Sequence, residues 1–332
     1  MRKAAFFGDE PSVIEQCYGE GRRERIAALC DLYPHVVTRE NFARHAEALR
    51  EVEAVFSAWG AWLLTDEQMQ ALPKLRIFLV AKSSVKALAP PLLQRGIVLV
   101  SAWGANAIPV AEFVLAQVLL SAKGYFRNVR EFRQPSSPRK APHGPGNFEE
   151  TVAVLGAGQV GRRLIRLLKN FDLRILVYDP YLTDAEAAAL GAEKVSLEAA
   201  FERSIVVSNH IPGLPQTRRL LRGDLFARMR QGATFINISN GPLVDFPAFV
   251  EVMRNRPDLT ALLDTPSSVD PGPLSGSCLW DLPNVVLSSH IAGALGRERL
   301  RLGDCMIEEY LRWERGEPLR WQVSSEMLAR LA

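Results

Sequence analysis

Residues 151–179 constrain the fold of this chain more than any other segment. The apolar run Val-Ala-Val-Leu at 152–155 leads directly into Gly156, Gly158 and Gly161, and Asp179 follows eighteen residues after the last glycine. A short apolar run of this kind predicts a buried parallel strand, and the helical spacing of the apolar residues after the glycines predicts a helix. Residues 173–178 predict a second strand, which Asp179 closes. The segment therefore predicts a β-α-β unit of a doubly wound α/β fold.

Each position of the glycine motif has a physical reason. Gly156 permits a tight turn from strand to helix, Gly158 lets the backbone approach a pyrophosphate, and Gly161 lets helix and strand pack closely. Gln159 and Val160 stand at the start of the helix, where unpaired N–H groups and the positive end of the helix dipole favour phosphate. The pattern indicates a dinucleotide-binding site, and strand, helix and acid at the right spacing make the indication strong.

The residue at the end of the second strand predicts which dinucleotide binds. Asp179, followed by Pro180, can accept hydrogen bonds from both ribose hydroxyls. Its charge would repel a 2′-phosphate. We therefore expect NAD rather than NADP as the cofactor.

Composition and charge exclude several classes of function. The chain has 332 residues, 48% hydrophobic and 23% charged, which suits two globular domains, and its net charge of +3 gives no case for nucleic acid. No uninterrupted apolar run approaches the ~18 residues that span a membrane, and the N-terminus does not resemble a signal peptide. Neither the four cysteines nor the five histidines have metal-ligand spacing, so we expect no metal, reduced thiols and a cytoplasmic location.

The pattern of short apolar runs predicts two α/β domains. In the first third, strands are predicted at 3–8, 54–58, 75–81 and 97–101, with helices at 22–32, 41–49 and 108–123. After residue 151, further strands are predicted at 204–208, 234–238, 260–264 and 285–289, and a last helix at 296–315. A proline-rich connector at 134–146 is expected to be irregular and exposed. Ligands should bind in a cleft at the carboxyl ends of the strands.

Five stretches together resemble the NAD-dependent D-2-hydroxyacid dehydrogenases over nearly the whole chain. They are residues 104–113, 156–161, 208–217, 236–245 and 282–293. The resemblance implies a flavodoxin-like substrate domain, formed by residues 1–118 and 296–332, around a Rossmann-type NAD domain at 119–295. It also implies a small-molecule substrate and a homodimer built mainly through the NAD domains.

The resemblance also assigns roles to residues. His290 matches the family's catalytic histidine, which exchanges a proton with the substrate oxygen, while a carboxylate holds that histidine protonated and an arginine clamps the 2-oxo acid. The residues expected around NAD are Gly156, Gly158, Gln159, Val160, Gly161, Asp179, Pro180, His210, Pro212, Thr217, Asp264 and His290.

Two of the family's catalytic partners are missing. Asn240 stands at the arginine position, and asparagine carries no charge and cannot make a bidentate fork to a carboxylate. Gly272 falls at the glutamate's position in a segment slightly longer than the family's. Asp270 is then the only nearby carboxylate that could replace the glutamate, with a shorter reach.

A lysine replaces part of a glycine-rich loop in the first domain. Lys82 follows the strand predicted at 75–81, at the edge where the cleft should be, with Trp59 and Trp103 at the same edge. One interpretation is a solvated lysine. The other is that Lys82 restores the positive charge lost at Asn240, with its amine pointing toward His290.

The sequence supports one leading function and leaves alternatives open. The leading prediction is an NAD-linked oxidoreductase that transfers hydride between nicotinamide and a small hydroxy or keto compound, with a remodelled substrate site and catalytic positions His290, Asn240, Lys82 and Asp270. A catalytically degenerate NAD-binding scaffold or sensor is the first alternative. A non-redox enzyme with bound NAD is the second, since fold alone does not settle function.

Overall fold

The chain folds into two compact α/β units. The computed structural model describes residues 1–137, 143–266, 269–270, 272 and 274–328. The first unit contains Met1–Asn106 and 294–328, and the second contains Ala107–Gly293. Each unit is built around one parallel sheet, as the apolar runs of the sequence predict.

The first unit has a five-stranded sheet of order β2-β1-β3-β4-β5, which is the flavodoxin-like order. Its strands are β1 (Lys3–Phe7), β2 (Asp31–Val37), β3 (Val52–Ser57), β4 (Ile77–Val80) and β5 (Val98–Ser101). Its helices before the second unit are α1 (Pro11–Tyr18), α2 (Arg22–Leu29), α3 (Phe42–Leu49), α4 (Asp66–Gln70) and α5 (Ala89–Gln94). Helix α6 (Trp103–Ala122) carries the chain into the second unit.

The second unit has a seven-stranded parallel sheet of order β12-β11-β10-β9-β6-β7-β8. Its strands are β6 (Thr151–Leu155), β7 (Arg174–Tyr178), β8 (Glu193–Lys194), β9 (Val206–Asn209), β10 (Thr234–Asn237), β11 (Thr260–Leu263) and β12 (Val285–Leu287). Its helices are α7 (Tyr125–Glu131), α8 (Gln159–Leu168), α9 (Asp184–Leu190), α10 (Leu197–Arg203), α11 (Gly223–Ala227) and α12 (Phe246–Asn255). The chain then returns to the first unit with α13 (Glu298–Glu314) and α14 (Ser325–Leu328). Strand order reverses between β6 and β9, the switch point where such sheets bind ligands.

These two sheets confirm the predicted fold class. The strand residues are apolar and almost fully buried, for example Val152–Leu155 of β6 and Phe235–Ile236 of β10. Fully burying one such side chain contributes about 1.5–3 kcal/mol. Strands buried on both faces need helices on both sides, which the alternating element order provides.

Helix α6 is a core helix of the described chain. By length and composition it could cross a membrane, since its mean hydropathy is 1.5, but half of this apolar stretch is buried. Val114, Val118 and Ala122 are fully buried in the core of the second unit. The sequence shows no uninterrupted apolar run of that length because Glu112 and Gln117 interrupt the helix.

Several element boundaries differ from those predicted. The helix predicted at 22–32 ends at Leu29, because Asp31–Val37 forms the edge strand β2, which accommodates Pro34. The helix predicted from residue 108 begins at Trp103, so that Pro109 lies inside it. The connector at 134–146 is irregular in its described part, and Gly144 packs against the end of α6. Its residues 138–142 lie outside the described residues.

Candidate active site

The glycine turn between β6 and α8 forms an open cradle. Gly156 has a φ of +91°, a conformation that favours glycine, and a Cβ there would come within 3.0 Å of the His210 backbone. A Cβ at Gly161 would overlap the carbonyl oxygen of Gly156. No atom lies within 4 Å of the Cβ position of Gly158, so open space remains above the first turn of α8. The cradle therefore fits a pyrophosphate at a helix N-terminus.

Asp179 is fixed against this turn. Its Oδ2 accepts a hydrogen bond of 2.7 Å from the Ala157 N–H, and its Oδ1 accepts one of 2.9 Å from the Tyr181 N–H. A carboxylate offers about four acceptor sites, so both oxygens can still accept from a ribose diol. Pro180, between Asp179 and Tyr181, is exposed at the same strand end.

His210 follows β9 and lies against the glycine turn. Its Nε2 is 2.8 Å from the Ser208 hydroxyl oxygen, while its buried Nδ1 has no hydrogen-bond partner among the described residues. Burial lowers the pKa of His210 to about 3, so the ring is neutral near pH 7. An unpartnered ring nitrogen beside the glycine cradle fits a residue that meets a bound cofactor.

Thr217 closes the loop that follows His210. Its hydroxyl is 2.7 Å from the carbonyl oxygen of Pro212, to which it donates, and it accepts from the Leu214 N–H at 2.8 Å. These bonds tie the loop to the short 3-10 turn Pro215–Thr217. Thr217 and Pro212 therefore shape the loop, and their predicted contact with the cofactor stays a prediction.

The loop that carries Asn240 packs closely on the loop after His210. A Cβ at Gly213 would overlap the carbonyl oxygen of Asn240 and would lie 2.6 Å from the Cα of Gly241. Gly241 has a φ of +92°. This contact fixes the backbone at Asn240, whose side chain is exposed.

Asp264, at the end of β11, organises the loop of His290. Its carbonyl oxygen accepts from the His290 N–H at 2.9 Å. Its carboxylate accepts from the N–H groups of Ile291 and Ala292 at 2.8 and 2.9 Å and from the Ser288 hydroxyl at 2.7 Å. Asp264 is only 2% exposed, so in the described structure its charge is used to hold this loop rather than to face solvent.

His290 itself is held in an uncommon backbone conformation. Its φ is +60°, which costs a non-glycine residue of order 1 kcal/mol or more, and the four bonds to Asp264 hold it there. The side chain is exposed. The ring of His290 is therefore open to a ligand, whereas the Nδ1 of His210 is buried.

Asp270 lies in the segment after β11. It is 7% exposed, and its Oδ1 accepts from the Gly272 N–H at 2.9 Å. Gly272 is exposed and carries no side chain. Asp270 is thus a buried carboxylate, and its predicted role beside His290 stays a prediction.

Lys82 follows β4 in the first unit. The Ser101 hydroxyl donates to the carbonyl oxygen of Lys82 or of Ser83, each 2.8 Å away, and the Ala102 N–H donates to that of Lys82 at 3.1 Å. Burial lowers the pKa of the Lys82 amine. The prediction that this amine points toward His290 stays a prediction.

The second unit therefore gathers most of the predicted site residues at one sheet edge. The glycine turn, Asp179, His210, Asn240, Asp264 and His290 follow the carboxyl ends of its parallel strands. The sequence reasoning missed the hydroxyls of Ser208 and Ser288, although each lies two residues before a histidine singled out from the sequence. Among the described residues, no group of three or more His, Cys, Asp or Glu side chains could hold a metal ion.

Comparisons with known proteins agree with this geometry. The family model of the D-isomer specific 2-hydroxyacid dehydrogenase NAD binding domain matches residues 115–292. A D-3-phosphoglycerate dehydrogenase of Archaeoglobus fulgidus is 30% identical over 70% of this chain and 44% of its own length. A glyoxylate reductase of Korarchaeum cryptofilum is 29% identical over 82% of both chains.

A solved structure extends the likeness to both units. A phosphoglycerate oxidoreductase from Rhizobium etli superposes with a TM-score of 0.76 at 25% identity, covering 97% of this chain and 99% of that one. The chain spans less than half the length of the phosphoglycerate dehydrogenase of A. fulgidus. The family match alone covers more than half of the chain. The chain therefore belongs to the D-isomer specific 2-hydroxyacid dehydrogenase family and carries its NAD binding domain.

Proposed function

We propose that the protein is an NAD-linked oxidoreductase that interconverts a small 2-hydroxy acid and its 2-oxo acid through a remodelled substrate site. The observation that carries the proposal is the presentation of His290. A buried aspartate uses its carbonyl and both carboxylate oxygens to hold an exposed histidine at a positive φ. Strain of this kind is retained where the surroundings enforce it, and it concentrates at functional sites.

The residues of the second unit suit the family's cofactor. Gly158 leaves the turn open for the pyrophosphate, Asp179 offers acceptors to the ribose, and the Nδ1 of His210 is left for a ligand. When bound, NAD supplies or accepts the hydride. The protein orients the substrate and the cofactor, exchanges a proton with the substrate and provides the electrostatic environment of the site.

His290 is proposed as the acid–base group. In the reducing direction its imidazolium donates a proton to the substrate oxygen, and in the oxidising direction its neutral ring accepts that proton. Asp270 is the carboxylate proposed to favour the protonated ring. Asn240 can donate a hydrogen bond to the substrate, but it cannot supply the charge of an arginine.

The test is NADH oxidation by the purified protein across a panel of 2-oxo acids, together with a measured NADH affinity. We expect oxidation with at least one acid, and in His290→Gln we expect the oxidation rate to fall far more than the NADH affinity. Lys123→Gln, a change outside the site, serves as the control. Tight NADH binding without oxidation of any acid would favour the alternative of an NAD-binding scaffold or a non-redox enzyme.

A homodimer through the second unit is also proposed. None of the residues of α7 is buried, and Tyr125 and Val129 of the helix, together with Phe132 directly after it, form an exposed apolar stripe. Leu120 and Phe148, the latter 69% exposed, are further exposed apolar side chains of the same unit. Exposed apolar surface of this extent marks an interface, and a second copy of the chain is the occupant we propose.

All four cysteines are free, which agrees with the proposed cytoplasmic location.

A further inference from the structure

Arg299 is held in a fixed position at the start of α13. Its guanidinium carbon lies 5.2 Å from the ring centroid of Trp59. Its Nε donates to the carbonyl oxygen of Ala294 at 3.4 Å, and one terminal nitrogen donates to the side-chain oxygen of Gln16. These three contacts orient a planar cation at the edge of the first sheet where β3 ends.

The charge of Arg299 is not neutralised within the described chain. None of the described carboxylates forms an ion pair with it, whereas Arg297, two residues earlier, pairs with Glu20 at 2.5 Å. A guanidinium has five N–H donors, and the contacts to Ala294 and Gln16 use two. A donor edge is therefore left for a ligand, in the orientation that the Trp59 ring imposes.

Lys82 lies on the neighbouring strand at the same edge. Ser57 of β3 pairs with Val80 of β4, and the Ala81 N–H continues the ladder by donating to the carbonyl oxygen of Ser57 at 2.8 Å. Trp59 and Lys82 each follow that pair by two residues. Lys82 also makes no ion pair among the described residues, and it is partly buried.

A purely structural role explains less of this arrangement. Arg299 does tie α13 to α1 through Gln16, but a neutral side chain could do the same without an uncompensated charge. Lys82 and Arg299 are two cations without ion pairs at one edge of one sheet, and an anion bound between them would reduce their mutual repulsion. This arrangement fits a ligand with acidic groups.

We propose that Arg299 and Lys82 form an anion-binding site, within the first unit, for a ligand that carries two acidic groups. The inference rests on the proposed oxidoreductase function for the identity of that ligand as a substrate. The substrate class is then a 2-oxo or 2-hydroxy acid with a second acidic group, which is a carboxylate or a phosphate. A monocarboxylic acid leaves one cation unpaired.

Binding by calorimetry to the full-length protein tests the site without turnover. The probes are two matched pairs, propionate with succinate and glycolate with phosphoglycolate, measured with NADH present. In at least one pair we expect the ligand with two acidic groups to bind at least about tenfold more tightly than the ligand with one, as for one added hydrogen bond between charged groups. The pair that shows the preference identifies the second group as carboxylate or phosphate.

The variants separate this site from general charge effects. Arg299→Ala and Lys82→Met should each remove most of the preference for the ligand with two acidic groups. Arg299→Lys should keep part of this preference, and Arg297→Ala should leave it intact. Thermal melting checks that each variant folds, and Arg299→Lys carries the comparison if Arg299→Ala does not fold.

The outcomes distinguish this inference from the proposed function. Equal affinities for both members of each pair in the unmodified protein would overturn the inference, as would a preference that survives Arg299→Ala or disappears equally in Arg297→Ala. A preference that depends on Arg299, in a protein that oxidises no NADH with any 2-oxo acid, would support the site while refuting the oxidoreductase.

Discussion

Asp264 holds His290 from one side: its carbonyl oxygen accepts from the His290 N–H at 2.9 Å, and its carboxylate accepts from the next two N–H groups. One buried side chain thus sets the position of the proposed acid–base group. This relationship makes the site sensitive to a residue that need not touch the substrate.

Asp264→Asn should destabilise the protein and reduce activity together. The amide nitrogen cannot accept, so at least one N–H of the His290 loop loses its acceptor, and each such loss costs about 1–3 kcal/mol. We expect a lower melting temperature and a lower kcat. Ser288→Ala is the control, because it removes one donor to Asp264 and leaves the two N–H contacts. It should lower the melting temperature and kcat by less than Asp264→Asn does. Unchanged kcat in a destabilised Asp264→Asn would show that the loop does not position His290.

Asp179 should decide between NADH and NADPH. The unmodified protein should bind NADH much more tightly, since a carboxylate at the ribose repels a 2′-phosphate. Asp179→Asn retains the side-chain size and one acceptor oxygen but removes the charge. It should therefore reduce the difference between the affinities for NADH and NADPH. Fluorescence titration with both cofactors measures this. Comparable affinities in the unmodified protein would contradict the assignment of Asp179.

His210 should make stability depend on pH in the acid range. Burial lowers its pKa to about 3, below the 6.5 of a free histidine, so between these values the unfolded chain binds more protons than the folded one. This contribution to stability is present above pH 6.5 and is lost as the pH falls, with a slope of up to about 1.4 kcal/mol per pH unit. Urea unfolding of His210→Gln between pH 5 and 6.5 should show a shallower slope than the unmodified protein. Equal slopes would mean that His210 is not responsible.

Asn240 should limit turnover of simple acids. We expect pyruvate, glyoxylate and hydroxypyruvate to be reduced with a kcat/KM below the usual range of about 10⁴–10⁸ M⁻¹s⁻¹. Asn240→Arg should raise kcat/KM for these acids by about tenfold or more, because it supplies a bidentate cation. Asn240→Gln adds length without charge and should leave the rate low. Efficient turnover by the unmodified protein would refute the prediction.

Val129 should belong to the proposed dimer interface. Val129→Asp places a charge in the exposed apolar stripe of α7 and should shift the protein to a monomer in sedimentation analysis. Ala188→Asp introduces the same residue at an exposed position of a different helix, α9, and should leave the dimer intact. If the unmodified protein sediments as a monomer, the proposed dimer is wrong.

Local patterns predicted much of the fold, whereas long-range packing escaped them. Strand β6, the glycine turn and Asp179 could be predicted because their signals lie within thirty residues of each other. The edge strand β2 was missed because its residues are mostly polar or half-buried and include a proline. The stacking of Arg299 on Trp59 joins residues far apart in the sequence, and no periodicity marks either one.

The same contrast applies to the site residues. The motif placed His290 at a strand end, but not its positive φ or the bonds that hold it, which depend on the fold around Asp264. The contacts of the Asp264 carboxylate with the His290 loop were not foreseen from the sequence, while its predicted contact with the cofactor stays a prediction. Lys82 was noticed from the sequence, whereas Arg299 was not.

The contact between Gly213 and Gly241 has a consequence for how this protein could change its substrate. Any larger residue at Gly213 would collide with the backbone at Asn240, so a substitution there would require the second loop to move. The side chain at position 240 is nevertheless exposed, and a larger residue at this position need not disturb that contact. Selection can therefore exchange the chemical group at this position by one mutation, without rebuilding the loop that bears it.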